Sequence, residues 1–282
     1  MTSADDLPPL REVIAAHGLL ARKSLGQHFL LDLNVTRKIA RLADVGPHDT
    51  VFEVGPGPGG LTRALLEAGA RVVAVERDAR CVDALSTVAA AFDSRLEIVE
   101  GDALAVNEPA ILPAGGPIKI VSNLPYNIST ELLVKWLRLN AEARFWSGMA
   151  LMFQKEVANR ILAAPGSKVY GRLSVIAQAA SAPRRGLDLP ARAFTPPPKV
   201  DSTVVVFAPK DIDFDLAALE RTTQAAFSQR RKMLRSSMKS IFGSDTEDIL
   251  GAAGLLATDR AEDVNVAGFI RLAGAASARR TA

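Results

Sequence analysis

Short apolar runs alternate with stretches of helical spacing over most of the chain. The runs are four or five residues long: Val51–Val54, Arg71–Val75, Leu96–Val99, Ile118–Val121, Ala150–Phe153 and Thr203–Phe207. Between them, apolar residues recur every three or four positions, which is the spacing that one buried helix face requires. Alternating strands and helices of this length predict a mostly parallel sheet covered by helices on both faces.

The segment between the first two strands is rich in glycine. Gly55, Gly57, Gly59 and Gly60 follow the first strand, and the second strand ends on Glu76. A strand, a glycine turn, a helix and a second strand with a terminal acid form a βαβ unit that binds a nucleoside at the strand ends. The sequence therefore predicts an α/β fold with a Rossmann-like sheet.

This glycine segment is compatible with two cofactors. Its spacing satisfies the dinucleotide fingerprint, with Glu76 where the ribose acid belongs. However, Pro56 and Pro58 remove two backbone N–H groups that a pyrophosphate would need as donors. S-adenosylmethionine carries a cationic sulfonium and no phosphate, and Glu53 lies directly before the turn. We therefore predict S-adenosylmethionine as the cofactor and not NAD.

A third acid follows the third strand. Asp102 lies at the strand's carboxyl end, as Glu76 does on the strand before it, and Glu53 lies near the carboxyl end of the first strand. A single acid at such a position is often a helix N-cap. Three acids on successive strands, which we expect to lie in register, indicate a binding site instead.

The fourth strand runs into Asn123-Leu124-Pro125-Tyr126. The Asn123 side-chain oxygen and the Leu124 carbonyl can accept the two N–H groups of an adenine amine and aim its lone pair at a methyl donor. Pro125 constrains the turn, and Tyr126 offers a face on which the base can stack. Such a reaction needs no strong base, because positioning supplies most of the rate. The alternative interpretation of this motif is a purely structural turn with a buried tyrosine.

Strand-like runs stop at about residue 210. We predict an N-terminal arm and cofactor-covering loop over 1–36, the Rossmann-like domain over 37–209, and a small all-helical RNA-binding domain over 210–282. Residues 227–239 contain five positive charges and no acid. The charges fall on neighbouring faces of a predicted helix, where they could bind RNA phosphates or simply face solvent. They are Arg230, Arg231, Lys232, Arg235 and Lys239.

Composition narrows the class of protein. The chain has 282 residues, a formal net charge of +3 and a single cysteine, Cys81. One cysteine excludes an internal disulfide and suits a reducing cytosol. The three histidines show no metal-ligand spacing, and no apolar run reaches the roughly twenty residues that a membrane span needs. The first nine residues are unlike a signal peptide. We expect a cytoplasmic protein without a metal or a membrane segment.

Seven motifs together carry a resemblance to a known family. They are G-Q-H-F-L at 26–30, E-V-G-P-G at 53–57, N-L-P-Y-N-I-S-T at 123–130, Q-K-E-V-A-N-R at 154–160, Y-G-R-L-S-V at 170–175, F-T-P-P-P-K-V-D-S at 194–202 and Q-R-R-K at 229–232. With them, the chain resembles the ribosomal RNA adenine N6,N6-dimethyltransferases from about Lys23 to about Ala273. These enzymes modify two adjacent adenosines near the end of small-subunit rRNA.

The resemblance implies roles for individual residues. It places Glu76 on the ribose hydroxyls of S-adenosylmethionine, Asp102 on the adenine amine, and Phe194 beside Asn123–Tyr126 around the target base. The residues that it assigns to the cofactor pocket are His28, Leu30, Gly55, Glu76, Asp102 and Asn123. The family often has asparagine at the position of His28, so a contact from this side chain to the cofactor does not follow.

Three other functions compete with this one. The macrolide-resistance enzymes methylate large-subunit rRNA, but the long match through residues 194–202 and the C-terminal domain favours the small subunit. Protein-glutamine methyltransferases use an Asn-Pro-Pro-Tyr turn, and Leu124 breaks that pattern. A non-catalytic assembly factor could retain the pocket as a relic, which the intact Asn123–Tyr126 motif opposes. We expect a monomer that acts on small-subunit rRNA within a pre-30S particle during ribosome biogenesis.

Overall fold

The structure is a computed structural model that describes residues 7–19, 26–113, 118–230 and 232–280. The chain divides into two compact units. The sheet unit comprises Met1–Trp136, Ala143–Ala158 and Arg184–Ala208, and the helical unit comprises Leu137–Glu142, Asn159–Pro183 and Pro209–Ala282. In this division, 137–142 and 159–183 group with the C-terminal segment, although the sequence led us to place them in the sheet domain. The three-part division stays a prediction.

The described strands and helices follow the predicted alternation. The strands are β1 Phe29–Leu30, β2 Thr50–Val54, β3 Arg71–Glu76, β4 Leu96–Glu100, β5 Ile118–Ser122, β6 Trp146–Gln154, β7 Ser181–Leu189, β8 Phe194–Thr195 and β9 Ser202–Pro209. The helices are α1 Leu10–Ala16, α2 Leu33–Leu42, α3 Gly60–Glu67, α4 Ala79–Ala91, α5 Glu108–Ile111, α6 Ser129–Glu142, α7 Lys155–Ile161, α8 Arg172–Ala180, α9 Leu216–Ser228, α10 Leu234–Ser237, α11 Lys239–Phe242, α12 Thr246–Ala252 and α13 Val266–Arg280.

Seven of the described strands form one mixed sheet in the order β4-β3-β2-β5-β6-β9-β7. The first five pair in parallel, and β9 is antiparallel to β6. The strand order reverses between β2 and β5, and a sheet of this kind binds its ligand in the crevice at that switch point. The predicted Rossmann-like sheet is confirmed.

The edge strand β7 was missed by the sequence analysis. Its sequence, S-A-P-R-R-G-L-D-L, contains a proline, a glycine and several charges, and it shows no apolar alternation. Such a strand is tolerated at a sheet edge, where one side needs no hydrogen-bonding partner and charges discourage further pairing. Gly186 permits the close approach to β9, because a Cβ there would lie 3.1 Å from the Val204 carbonyl oxygen.

The central strands are apolar because both of their faces are buried. Val51 and Val72 pack with Leu65 and Leu66 of α3, and all four side chains are fully buried. On the other side of β2, the Phe52 ring meets Trp136 of α6 edge to face, with 6.1 Å between centroids. Helices on both faces thus hold the ends of β2 to β5 in place, and the loops that follow these strands start from a rigid base.

In the helical unit, aromatic packing explains why 159–183 belongs with the C-terminal segment. Tyr170 packs edge to face against Phe227 of α9, which lies against Phe269 of α13 at 5.5 Å between centroids. The Tyr170 hydroxyl donates to the Val264 carbonyl at 2.9 Å. This side chain is fully buried, and burial raises its pKa to about 12.

Candidate active site

Two of the glycines in the β2–α3 turn accommodate the chain itself. The short strand β1 pairs antiparallel with β8, with Leu30 opposite Phe194. A Cβ on Gly57 would lie 3.0 Å from the Phe29 ring, and one on Gly60 only 2.4 Å from the Leu30 carbonyl oxygen. The sequence predicts a ligand at this turn, and the structure shows that two of its glycines also let β1 pack onto it.

A cleft of about 1140 Å³, including its open mouth, lies at the carboxyl ends of β2 to β5. This is the edge of the sheet that the topology designates for a ligand. Most of the predicted site residues line it. They are His28, Leu30, Gly55, Glu76, Asp102, Asn123, Leu124, Pro125 and Tyr126.

Glu76 is held as an acceptor at the end of β3. Its Oε2 accepts the N–H of Gly57 at 3.0 Å, and its Oε1 accepts the N–H groups of Arg77 and Asp78 at 2.8 and 2.9 Å. Burial raises the pKa of this carboxyl group, and the three backbone donors oppose that rise. A carboxylate fixed in this way can accept the hydroxyl groups of a ribose at the place where the βαβ fold binds one.

Glu53 lies deeper than Glu76. It pairs with Ala74 in the β2–β3 register, so Glu76 stands two residues nearer the cleft mouth. The expectation that the three acids lie in register was therefore wrong for Glu53. Its side chain is 1% exposed and accepts the Thr62 hydroxyl at 2.8 Å. Burial raises the pKa of Glu53 to about 8, and the neighbouring Glu76 carboxylate adds to the rise.

Asp102 stands at the rim of the cleft. The expectation of a common register was also wrong for this acid, because the residue opposite Glu76 on β4 is Glu100. Its Oδ1 accepts the Leu104 N–H at 3.0 Å, and its Oδ2 pairs with the Arg77 guanidinium at 3.2 Å. The carboxylate is thus oriented from two sides. It remains partly exposed, and a ligand can reach it.

Lys135 of α6 fixes the loop that carries Asp102, and nothing in the sequence pointed to this role. Its Nζ donates to the carbonyl oxygens of Ala103 and Val106 at 3.1 and 2.6 Å and pairs with the buried Glu108 at 2.9 Å. These contacts join residues about thirty positions apart, so a local pattern could not reveal them.

Asn123 is oriented by the main chain just before β1. Its Nδ2 donates to the main-chain carbonyl of His28 at 3.0 Å. A carbonyl oxygen only accepts, so the amide must present its nitrogen to His28, and Oδ1 is left as the acceptor of this side chain. Leu124 is buried, and its neighbour Pro125 packs against Gly55, where a Cβ would lie 3.4 Å from the proline ring.

Tyr126 is held at its hydroxyl and at one face of its ring. Its hydroxyl lies 2.6 Å from the Ser202 hydroxyl, and its ring stacks on His28 with 5.5 Å between centroids and 26° between planes. Burial raises the pKa of Tyr126, so the phenol stays neutral. The His28 ring is anchored in turn, with its Nδ1 2.8 Å from the Pro196 carbonyl oxygen. Because that oxygen only accepts, Nδ1 carries the proton.

Phe194 is not among the described residues that line the cleft. It is 2% exposed and belongs to the core, together with Leu30 and Val204. The prediction that this ring surrounds the target base is not supported by its position. The β1–β8 pairing buries the ring, and a contact between segments so far apart along the chain is not visible in the sequence.

The basic segment 227–239 does not form one helix. Helix α9 ends at Ser228 and α10 begins at Leu234. Arg230 points into the helical unit, where its Nε pairs with Glu262 at 2.8 Å and its Nη2 donates to the Ser167 carbonyl at 3.1 Å. Its predicted role in gripping phosphates is replaced by this internal ion pair. The exposed members of the predicted set are Lys232, Arg235 and Lys239, and Arg231 lies outside the described residues.

The charges of the cleft match S-adenosylmethionine. Its lining residues include the acids Glu53, Glu76 and Asp102 and the arginine Arg77. Arg77 is paired with Asp102, and burial keeps Glu53 mostly uncharged near pH 7, so Glu76 is the acid whose charge no lysine or arginine of the described lining offsets. An acid in excess suits a cationic sulfonium, and the described lining residues include no lysine or unpaired arginine that could bind a phosphate. Within the described ranges, we find no group of three or more His, Cys, Asp or Glu side chains arranged to hold a metal ion. No helix in these ranges is long and apolar enough to cross a bilayer.

Comparisons with known proteins agree with this geometry. Residues 18–277 match the family described as ribosomal RNA adenine dimethylase. The chain is 55% identical to a ribosomal RNA small subunit methyltransferase A from Agrobacterium fabrum, over 97% of this chain and 99% of the relative. It is 58% identical to a protein of the same name from Phenylobacterium zucineum, over 99% of this chain and 96% of the relative.

Solved structures show the same fold at low identity. A dimethyladenosine transferase from Plasmodium falciparum superimposes with a TM-score of 0.73 at 24% identity, over 87% of this chain and 96% of that one. The 23S rRNA methyltransferase ErmE superimposes with a TM-score of 0.65 at 24% identity, over 88% of this chain and 99% of that one. With the family match covering nearly the whole chain, the conclusion is direct: this protein is a member of the ribosomal RNA adenine dimethylase family.

Proposed function

We propose that this chain transfers methyl groups from S-adenosylmethionine to the N6 amines of two adjacent adenosines near the 3′ end of small-subunit rRNA. The observation that carries the proposal is the Asn123 amide, whose nitrogen is engaged by His28 and whose oxygen is left as an acceptor at the cleft. The curated relatives named as small-subunit methyltransferases support the choice of subunit over the large-subunit alternative.

The cofactor assignment uses the residues around the cleft. Glu76 accepts the ribose hydroxyls, Asp102 accepts the adenine amine, and the Gly55 turn allows close backbone approach. His28 and Leu30 cover the cofactor from above with their main chain. When bound, S-adenosylmethionine supplies an electrophilic methyl group. The Glu76 carboxylate complements its positive charge, and the glycine turn, with its two prolines, is not suited to a pyrophosphate.

The target base is positioned by the loop after β5. Asn123 Oδ1 and the Leu124 carbonyl accept the two N6–H groups, which turns the nitrogen lone pair toward the donor. Tyr126 supplies a stacking face on the side that His28 does not cover. The alkylated nitrogen is acidic, and water at the open mouth of the cleft takes its proton. Positioning therefore accounts for most of the rate.

The RNA partner is held by exposed cations. We assign Lys232, Arg235 and Lys239 to phosphate contacts, and the sequence predicts the same role for Arg231, which lies outside the described residues. The substrate is small-subunit rRNA in a pre-30S particle, and the protein acts there as a cytoplasmic monomer. A purely structural assembly factor would not need an oriented Asn123 amide, so we favour an enzyme.

The test is methyl transfer from labelled S-adenosylmethionine to unmethylated small subunits, with unmethylated large subunits alongside, followed by mapping of the modified nucleotides. We expect two adjacent N6,N6-dimethyladenosines near the 3′ end of the small-subunit rRNA. Label on the large subunit would favour the macrolide-resistance type of activity. Binding to small subunits without any transfer would favour the assembly factor.

A further inference from the structure

Arg77 links the two carboxylates to which we assign the cofactor's adenosine. Its backbone N–H donates to Glu76 Oε1 at 2.8 Å, and its guanidinium Nη1 pairs with Asp102 Oδ2 at 3.2 Å. Both acids line the cleft, and so does Arg77. One residue at the end of β3 therefore contacts the acid of its own strand and the acid of the strand beside it.

The contact with Arg77 helps to hold the Asp102 carboxylate in one orientation. The Asp102 carboxylate is fixed at Oδ1 by the Leu104 N–H and at Oδ2 by the guanidinium. Without Arg77, only the first bond remains, and the carboxylate can rotate about the torsion of its side chain. A partly exposed acceptor that is free to rotate binds a planar amine less well than one held in place, since ordering it takes part of the binding free energy.

We infer that Arg77 is a positioning residue for the cofactor's adenine, acting through Asp102 and not through a contact of its own. The inference rests on the proposed function, because it takes the adenine amine as the ligand of Asp102. It also explains how a cleft for a cationic cofactor tolerates an arginine. The positive charge of Arg77 is offset by the carboxylate it holds.

The size of the effect is limited by exposure. The Arg77 and Asp102 side chains are 67% and 42% exposed, and ion pairs of this kind contribute little because water and salt screen them. We expect Arg77→Ala to weaken cofactor affinity by about two- to five-fold at low ionic strength, and by less as salt is added.

A control of nearly the same chemistry lies on the same strand. Arg71, at the other end of β3, pairs with Glu97 at 3.0 Å, and these side chains are 55% and 48% exposed. Neither lines the cleft. Arg71→Ala therefore removes an exposed arginine–carboxylate pair between β3 and β4 without touching the proposed site.

The experiment measures affinity by calorimetry for S-adenosylhomocysteine, which lacks the sulfonium charge, and for its inosine analogue, which lacks the adenine amine. We expect Arg77→Ala to weaken the first and leave the second unchanged, Arg77→Lys to restore most of the loss, and Arg71→Ala to alter neither. In turnover, Arg77→Ala should raise the KM for S-adenosylmethionine and leave kcat at saturating cofactor unchanged.

The Asp102→Ala background separates the inference from the function on which it rests. If Asp102→Ala leaves affinity for S-adenosylhomocysteine intact, the assignment of Asp102 to the adenine amine is wrong. If Asp102→Ala weakens binding and Arg77→Ala does not, the positioning role is wrong. If Arg77→Ala weakens binding equally with and without Asp102, Arg77 contacts the cofactor directly, and the inference is overturned.

Discussion

The Asn123 side-chain nitrogen donates to the main-chain carbonyl of His28 at 3.0 Å. This bond joins the loop after β5 to the segment that covers the glycine turn, across 95 residues of sequence. Because a backbone carbonyl accepts and never donates, the bond also determines which way the amide faces. The fold itself therefore orients Asn123 Oδ1 as the acceptor that the chemistry requires, and no substrate is needed to orient it.

Replacement of Asn123 should abolish methyl transfer without loss of RNA binding. Asn123→Ala removes the acceptor, and Asn123→Asp places a carboxylate oxygen against the His28 carbonyl oxygen. We expect transfer to fall by about 100-fold or more in both, the scale of a misplaced reacting group. The measurement is single-turnover transfer to unmethylated small subunits, with binding assayed in parallel. The control is Asn34→Ala, on the exposed face of α2. Near-normal transfer by Asn123→Ala would mean that Asn123 serves only to form the turn.

Glu76 should be essential for binding S-adenosylmethionine. Glu76→Ala leaves three backbone N–H groups without their acceptor and could therefore disturb folding. Glu76→Gln retains one acceptor oxygen, so a loss of binding in this variant can be distinguished from a loss of folding. We expect both variants to lose most of their affinity by calorimetry, because a ribose diol needs the full carboxylate. Glu100 stands opposite Glu76 in the β3–β4 register, and Glu100→Ala is the matched control. Tight binding of NAD, with no response to the methyl donor, would contradict the cofactor assignment.

The buried Glu53 should make stability depend on pH. Its pKa in the folded protein is about 8, well above 4.5, because burial disfavours the charged form. The stability it contributes is fully present below pH 4.5 and is lost as the pH rises toward and through 8, since only the unfolded chain ionises readily in that window. Relative to Glu53→Gln, the wild type should lose on the order of a few kcal/mol from pH 4.5 to 8.5, at about 1.4 kcal/mol per pKa unit.

The pH experiment is denaturant unfolding of the cofactor-free protein across this range. Glu97→Gln, at an exposed site on β4 of the same sheet, controls for the loss of a carboxyl group. A constant difference between wild type and Glu53→Gln at every pH would mean that Glu53 is charged in the folded protein.

The exposed cations of the helical unit should set the salt dependence of RNA binding. Arg235→Ala and Lys239→Ala should each lower the slope of log affinity against log salt by about one unit. Arg230→Ala should instead lower stability and leave the slope nearly unchanged, because this arginine is engaged with Glu262 and Ser167. Affinity for unmethylated small subunits across a salt series tests all three. Unchanged slopes in Arg235→Ala and Lys239→Ala would place the phosphate contacts elsewhere.

Gly60 should tolerate no side chain. A Cβ at this position would lie 2.4 Å from the Leu30 carbonyl oxygen, so Gly60→Ala must displace β1 from the glycine turn. We expect a loss of about 1–3 kcal/mol in the free energy of unfolding, the usual scale of overpacking, together with weaker cofactor binding. Gly148→Ala in β6, where the nearest atom is 3.9 Å away, should be close to neutral. A stable Gly60→Ala variant with normal affinity would show that β1 can shift without consequence.

The sequence by itself determined the parts of this protein that depend on local order. Apolar runs alternating with helical spacing were sufficient for the parallel sheet, because both periods follow from backbone geometry. The same order of strands and helices also predicts the edge of the sheet at which a ligand binds, because the carboxyl ends of the parallel strands meet at that edge. Gly55, Glu76, Asp102 and Asn123 each lie at the end of a strand or within two residues after it, and the structure brings all four to one cleft.

Only the tertiary structure decided which side chains are available for chemistry. Pairing of Leu30 with Phe194 buried an aromatic ring predicted to meet the base, and Glu262 engaged an arginine predicted to meet phosphate. The same folding oriented Asn123 through His28 and Asp102 through Arg77. These partners lie between 25 and 164 residues apart, and a contact between distant segments depends on how the elements pack, which no local period of the sequence encodes.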